Sequence, residues 1–379
     1  MTTKIHKSIG AVDASFLKNI NPQNNVYFSK TLLHSFEVSN PKIEMRYVCV
    51  SDNDKPQALA LVQIIELNVN VILKNIKASA LSRSLLSLLL WKEHIKIMFC
   101  GNVFLSGEYC LSFAEKTKQE KAVRQIGRAL DTISKSVKPL HAIFIKDFEK
   151  KALDYSQGFE SFGFTNIKVE PNMLVHLKPE WKSFEDYKDA LKSKYRIKAN
   201  KADSKSQALE GRFMSKKDIE DSQKALQNLY QNTIDNANFT AQVLHLKTYI
   251  ELKSFYKDDF IVKGYFLDGE IVGFLSALKN RSHLDAHFIG LNYRLNKAHA
   301  IYPRILNDYV RIGIENKVSV INLGRTASEI KTTIGAVPLE LSCYIKHKSP
   351  FINALVLSLI HISEPTRRYA ISYAVFCLK

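Results

Sequence analysis

The sequence predicts an α/β chain of two similar domains in tandem, each with a mixed central sheet flanked by helices. Three observations carry that expectation. Leu284, Ala286 and Phe288 alternate with Asp285, His287 and Ile289, the period of a half-buried strand. A helical pattern follows, with Ile301, Ile305, Val310 and Ile314 on one face and Arg304, Asn307, Asp308 and Arg311 on another. An apolar stretch over 318–323 then ends at Gly324, before a short helix from about Thr326. Units of strand, helix and strand place their ligands at the carboxyl ends of the strands.

The elements in order support a duplication. Residues 1–24 are polar and weakly patterned, which predicts a flexible arm. Residues 26–36 suit a helix, and 44–50 and 57–67 read as strands around the turn SDNDKP. The leucine-rich segment 75–91 reads as helix. A short buried strand at 95–100 leads into GNVFLSGEY, followed by an amphipathic helix at 116–137 and a strand at 140–148. FESFGF then turns into a strand-like run, 166–177, closing a first domain of residues 25–178. A charged helix that opens at Pro179 is the expected connector, 179–206. The second domain, 207–356, adds helices at 214–232 and 243–256 and a hairpin, 260–266 with 271–278, around LDGE. Each half therefore runs hairpin, strand, long helix, strand. No residue-level repeat accompanies that order, so duplication rests on the order alone.

The totals narrow the function. With 379 residues and 46% hydrophobic content, the chain can bury two ordinary cores. No run of about 18 uncharged apolar residues predicts a membrane span, and the N-terminus lacks a signal-peptide pattern, so cytoplasm is the default expectation. Five cysteines (Cys49, Cys100, Cys110, Cys343, Cys377) show no ligand-like spacing; they read as reduced structural thiols, with no metal site expected. A formal charge of +17 suggests anionic partners, namely a nucleic acid, a phosphate-rich cofactor or a lipid surface, beside plain lysine solubility. Residues 357–379, LSLIHISEPTRRYAISYAVFCLK, resemble translated sequencing adapter, with Arg368, Tyr369 and Ala370 in the slot of a variable index. A segment of that origin carries no information about the fold.

The element order, with GRTASEIK and the closing IGAVP, resembles the second half of tandem acyltransferases of the GNAT fold. The closer resemblance is to their FemAB-like branch, related to enzymes that add amino acids to peptidoglycan bridges. FEDYKDALKSKYRIKANKA, residues 184–202, resembles the Lys-Tyr-Arg helix such proteins carry before the second domain. The resemblance spans roughly residues 26–353 and implies two GNAT-like domains, with the active cleft in or beside the second. It implies an N-acyltransferase that moves an acyl or aminoacyl group to an amine. No tightly bound cofactor is expected, and the donor is either acyl-CoA or an aminoacyl-tRNA. NYRLNKAHAIY stands where acetyl-CoA enzymes of the fold carry a glycine loop, yet has no glycine, and ASEIKTTIG lacks their usual tyrosine. Both departures favour the aminoacyl-tRNA donor. The rival readings are a non-catalytic binding module and a basic nucleic-acid-binding protein.

Acyl transfer to an amine needs a base or water path, donors for the oxyanion and a pocket that holds both substrates. Asp285 and His287, two apart on one strand, can act as orienter and base, with Tyr293 after the strand as a proton donor or substrate contact. Gly324 places Arg325 and Thr326 at a strand end, where a guanidinium grips a carboxylate or phosphate; Glu329, Lys331 and Arg304 join as candidates. Glu329 is equally a partner for Arg325 across one helical turn. The basic helix 182–205, with Lys194 and Arg196, is a candidate tRNA backbone contact. Oligomeric state is left open.

Overall fold

The computed structural model describes residues 1–68, 94–237 and 242–347. The expected helix 75–91 and the adapter-like tail 357–379 lie outside the described residues. The chain divides into two compact units. The first is Met1–Glu170 with Asn238–Val243 and Glu340–Lys379; the second is Pro171–Ala237 with Leu244–Leu339.

The first unit opens with β1 (Thr2–His6), α1 (Ala14–Ile20), α2 (Lys30–Ser39), β2 (Glu44–Asp52) and β3 (Lys55–Asn68). It continues with β4 (His94–Cys100), β5 (Leu111–Phe113), α3 (Gln119–Ser136), β6 (Ala142–Glu149), α4 (Leu153–Ser156) and the start of β7 (Thr165–His176). The N-terminal residues are not a loose arm. β1 pairs antiparallel with β2 from Thr2↔Ser51 to His6↔Tyr47. α1 buries Phe16, Leu17 and Ile20 behind an Asp13 cap that accepts from the Ser15 and Phe16 amides. Ala14, Phe16, Leu17 and Ile20 are too few apolar positions in a polar stretch to stand out as a helical pattern. The expected helix at 26–36 begins only at its Ser29 cap, after a single 3₁₀ turn.

In this unit β2, β3, β4 and β6 lie side by side, and the chain's last described strand covers the far edge of β6. β4 and β6 are parallel. α3 lays Ala122, Val123, Ile126, Leu130 and Ile133 onto Val48, Ala60, Met98, Ile143 and Ile145. Each such aliphatic side chain contributes about 1.5–3 kcal/mol by leaving water.

The second unit holds α5 (Phe184–Ala190), α6 (Ser193–Lys205), β8 (Glu210–Phe213), α7 (Lys216–Asp221), α8 (Gln223–Asp235) and α9 (Lys247–Tyr256). These are followed by β9 (Phe260–Leu267), β10 (Glu270–Asn280), β11 (His283–Leu291), α10 (Tyr293–His299) and α11 (Ile301–Glu315). β12 (Val320–Asn322), α12 (Ser328–Thr332) and β13 (Val337–His347) close the described chain. The expected single connector helix is two helices. Leu191 leaves the helical region (ψ 150°) and packs its side chain on this unit's core, ending α5. The helix expected from Ile301, Ile305, Val310 and Ile314 starts at Ile301, because Ala300 stands in the left-handed region (φ +46°) between α10 and α11. Strand order is β7-β12-β11-β10-β9-β8, with α11 packed through Ile301, Ile305, Tyr309 and Val310 on Leu275, Ala277, Leu284 and Ile321.

Candidate active site

β11 and β12 pair in parallel only from His283↔Val320 to Asp285↔Asn322. Beyond that point β11 runs on beside β10 to Leu291, while β12 stops and the chain turns at Gly324. Gly324 has φ +70° with nothing within 4 Å of a would-be Cβ, so backbone conformation rather than space calls for glycine. Two parallel strands that part at their carboxyl ends are where this class of sheet takes its ligands. Leu284, Ile321 and Leu323 face the core under α11. Asp285 and Asn322, one step along each strand, therefore share the other face, and both are buried.

A β-bulge then changes the alternation. Leu275 pairs with Ile289 and Ala277 with Ala286, which leaves His287 and Phe288 together opposite Ser276. Ala286 and Ile289 both belong to the α11 side, so His287 and Phe288 both go to the side of Asp285. There Phe288 meets Tyr230 of α8 at a ring separation of 4.7 Å, and His287 meets Tyr249 of α9 at 5.6 Å. Gly290 makes the approach possible, because a Cβ there would stand 2.7 Å from the backbone of Leu229 and Tyr230.

The hydrogen bonds fix the imidazole. Ser276 Oγ donates to the Phe288 carbonyl (2.6 Å), so it accepts from the Tyr249 hydroxyl (2.7 Å). Tyr249 in turn accepts from His287 Nδ1 (3.1 Å), which puts the proton of the neutral ring on Nδ1. Tyr249 thus orients the histidine, a role the sequence pattern assigned to Asp285. Burial pushes the His287 pKa down to about 3. The ring is neutral at pH 7 and holds a transferred proton poorly, which argues against the expected base role.

The turn after β12 is built from its own polar groups. Asn322 Oδ1 accepts from the Gly324 amide (3.0 Å). Lys331 is buried, and its Nζ donates to the carbonyls of Gly324 (3.3 Å) and Arg325 (2.5 Å), so it is a strut inside the turn and not a surface lysine. Thr326 and Ala327 follow in the left-handed region at φ +64° and +49°. Arg325 is half-buried; Thr326 and Glu329 are exposed. Glu329 forms no ion pair among the described residues, so the expected Arg325–Glu329 pair is absent. α12 has only five residues, which removes the helix N-terminus as an anion site.

Other candidates fall elsewhere. Arg304 belongs to a buried ion cluster: its Nε donates to Asp308 (3.0 Å) and its NH1 to Ser206 (3.3 Å). Asp308 also accepts from the Tyr265 hydroxyl, Lys263 Nζ and Arg311, the last of which reaches Asp203 (2.6 Å). Burial drives the Asp308 carboxyl up, but Lys263 and Arg304 outweigh it and hold the group below the usual range. The cluster fastens α6 to α11 and is structural. Tyr293, at the start of α10, is half-exposed, and burial of its inner part raises its phenol. Lys194 lies exposed over the Tyr195 ring, and Arg196 reaches Asp189 at 3.6 Å. All four described cysteines are buried and none is in a disulfide. Burial pushes the Cys49 thiol up to about 12 and Cys100 and Cys110 upward as well, so none of these three is a thiolate nucleophile. Among the described residues no group of His, Cys, Asp and Glu is placed to hold a metal.

The structure thus gathers Asp285, Gly324, Arg325 and Lys331 at one end of the sheet, with His287 further along β11. It adds Asn322, Tyr249 and Ser276, which no motif singles out; Asn322 alone had a signal, as the polar end of a buried strand before glycine.

The sequence matches no family model and no curated protein. Solved structures do match, and they show the fold. The crystal structure of FemX aligns over 95% of this chain and 100% of its own at 11% identity, with a TM-score of 0.54. A tandem GNAT protein from the clavulanic acid biosynthesis pathway aligns over 92% and 99% at 7% identity, TM-score 0.52. The C-terminal domain of a putative lysylphosphatidylglycerol synthetase from Agrobacterium fabrum aligns over 91% and 95% at 9% identity, TM-score 0.53. The chain has an α/β fold of two GNAT-like domains in tandem.

Proposed function

We propose that the second unit transfers an acyl or aminoacyl group to an amine where β11 and β12 part. The observation that carries the reading is a buried Asp285 beside Asn322 at that point, with the Gly324–Arg325 turn at the same strand ends. In the reaction the amine nitrogen bonds to the carbonyl carbon while the thioester or ester bond breaks, and the amine gives up a proton. Asp285 is the group suited to receive it, directly or through water. Arg325 is suited to grip an anionic part of the donor, on a turn that Lys331 holds rigid. The segment after β11 is helical and free of glycine, which supports an aminoacyl ester over acyl-CoA as donor. The suppressed protonation of His287 favours the rival reading, a binding module without turnover.

The test is turnover with panels of acyl-CoA and aminoacyl-tRNA donors, wild type beside Arg325→Lys. The expected result is turnover with at least one donor and about a tenfold or greater loss in the variant at unchanged melting temperature, the scale of one charged hydrogen bond. Turnover with none leaves the binding module, and full activity in Arg325→Lys removes that residue from the site.

A further inference from the structure

We propose that the outer face of α6, continued by α10, docks on an anionic lipid surface. α6 turns Ala199 and Ala202 inward and leaves the opposite side bare. Lys194, Ile197, Lys198, Lys201 and Lys205 recur at steps of three and four, so they form one stripe along that side, and all are exposed. None of the four lysines is in an ion pair among the described residues, and the nearby acid is aimed away from them: Asp203 faces inward to Arg311 and Asn307. Charge on this helix is therefore segregated, with the carboxylate inside and the ammonium groups outside. Lys205 Nζ donates to the Lys297 carbonyl (3.4 Å), which carries the stripe onto α10. There Arg294 and Lys297 are exposed, and Tyr293 is 41% exposed.

Ile197 decides between partners. It is 63% exposed with Lys194, Lys198 and Lys201 around it on the helix surface. An aliphatic side chain ringed by lysines suits a bilayer interface, where it enters the acyl boundary while the long lysine stems reach the lipid phosphates. A nucleic-acid face would gain from arginine forks and open stacking aromatics. On α6 the stripe's charges are all lysine and Tyr195 is half-buried beneath Lys194, while Arg294 and Tyr293 stand only at its α10 end.

The test is co-sedimentation of the full chain with vesicles of phosphatidylcholine alone or mixed in equal parts with phosphatidylglycerol, at about 0.1 M salt. Binding to the anionic vesicles only is expected. Lys198→Glu with Lys201→Glu is expected to weaken it about tenfold or more, and Ile197→Asp to weaken it while Ile197→Leu keeps it. Melting temperatures of these exposed variants should match wild type; if the Glu pair does not fold, Lys194→Gln with Lys205→Gln serves, with a smaller loss. Equal binding to both vesicles, no binding to either, or indifference to these substitutions overturns the proposal. So does a result in which the lysine variants lose an RNA duplex while vesicle binding is unchanged, which would make the stripe a nucleic-acid face.

Discussion

The two units brace the ends of their parallel strand pairs at different strands. In the first, β4 and β6 pair in parallel from Ile97↔Ala142 to Cys100↔Ile145, and β6 then carries the buried pair Lys146 and Asp147. Lys146 Nζ donates to the carbonyls of Asn102 (2.9 Å) and Leu105 (2.8 Å). Asp147 accepts from the Gly107 amide (3.2 Å) and the Cys343 thiol (3.4 Å), from a backbone held at φ +60°. Its strain sits in a bulge that places Cys343 opposite Lys146 and Asp147. The loop that leaves β4 is thereby tied to β6. In the second unit it is the turn after β12, the counterpart of β6, that is held: Lys331 braces it, and Thr326 and Ala327 stay exposed. The first unit thus ties down the loop after its earlier parallel strand, and the second braces the turn after its later one. A buried ion is no guide to a site until its partners are known: Lys146 is spent on the loop after β4, and Lys331 on the turn that carries Arg325.

The contrast can be broken or sharpened. The largest expected effect is at the second unit's own staple, the ion cluster around Asp308. Asp308→Ala strands Lys263, Arg304 and Arg311, and should cost about 3–5 kcal/mol of stability in denaturant titration. A loss well under 1 kcal/mol would show the cluster to be surface-like. Next is pH. Unfolded His287 titrates near 6.5 and folded His287 near 3, so below pH 6.5 the unfolded chain binds a proton the native one refuses. Stability should fall with acid across that window by up to about 1.4 kcal/mol per unit, and His287→Phe should flatten the slope. An unchanged slope would mean the ring protonates in the folded state. The smallest effect is Glu329→Gln, within about 0.5 kcal/mol, because the carboxylate is exposed and has no ion pair. A larger loss would restore the Arg325–Glu329 pair.

The sequence carried the fold through periodicity. The strands at 260–266 and 284–291, the helix of Ile301, Ile305 and Val310, and the buried 318–323 run lie close to where their patterns placed them. Three things escaped it. The kink at Leu191 depends on a tertiary contact, the strut of Lys331 on where the chain returns after a turn, and the His287–Phe288 pairing on a bulge that period-two reasoning cannot see. The site was legible where a turn residue marked it, as Gly324 did for Arg325. It was not legible where function-like residues, such as Arg304, had been taken up by packing between helices.

The most direct measurement sets the two buried carboxylates against each other. Asp285→Asn and Asp147→Asn are made separately, and turnover per folded molecule is measured with whichever donor proves active. Asp285→Asn should lose about a hundredfold or more in turnover per folded molecule, the scale of one acid–base group, whatever its effect on melting temperature. Asp147→Asn should lower the melting temperature and leave turnover per folded molecule near wild type. A large loss of turnover in Asp147→Asn, with Asp285→Asn unaffected, would put the chemistry in the first unit and contradict the account.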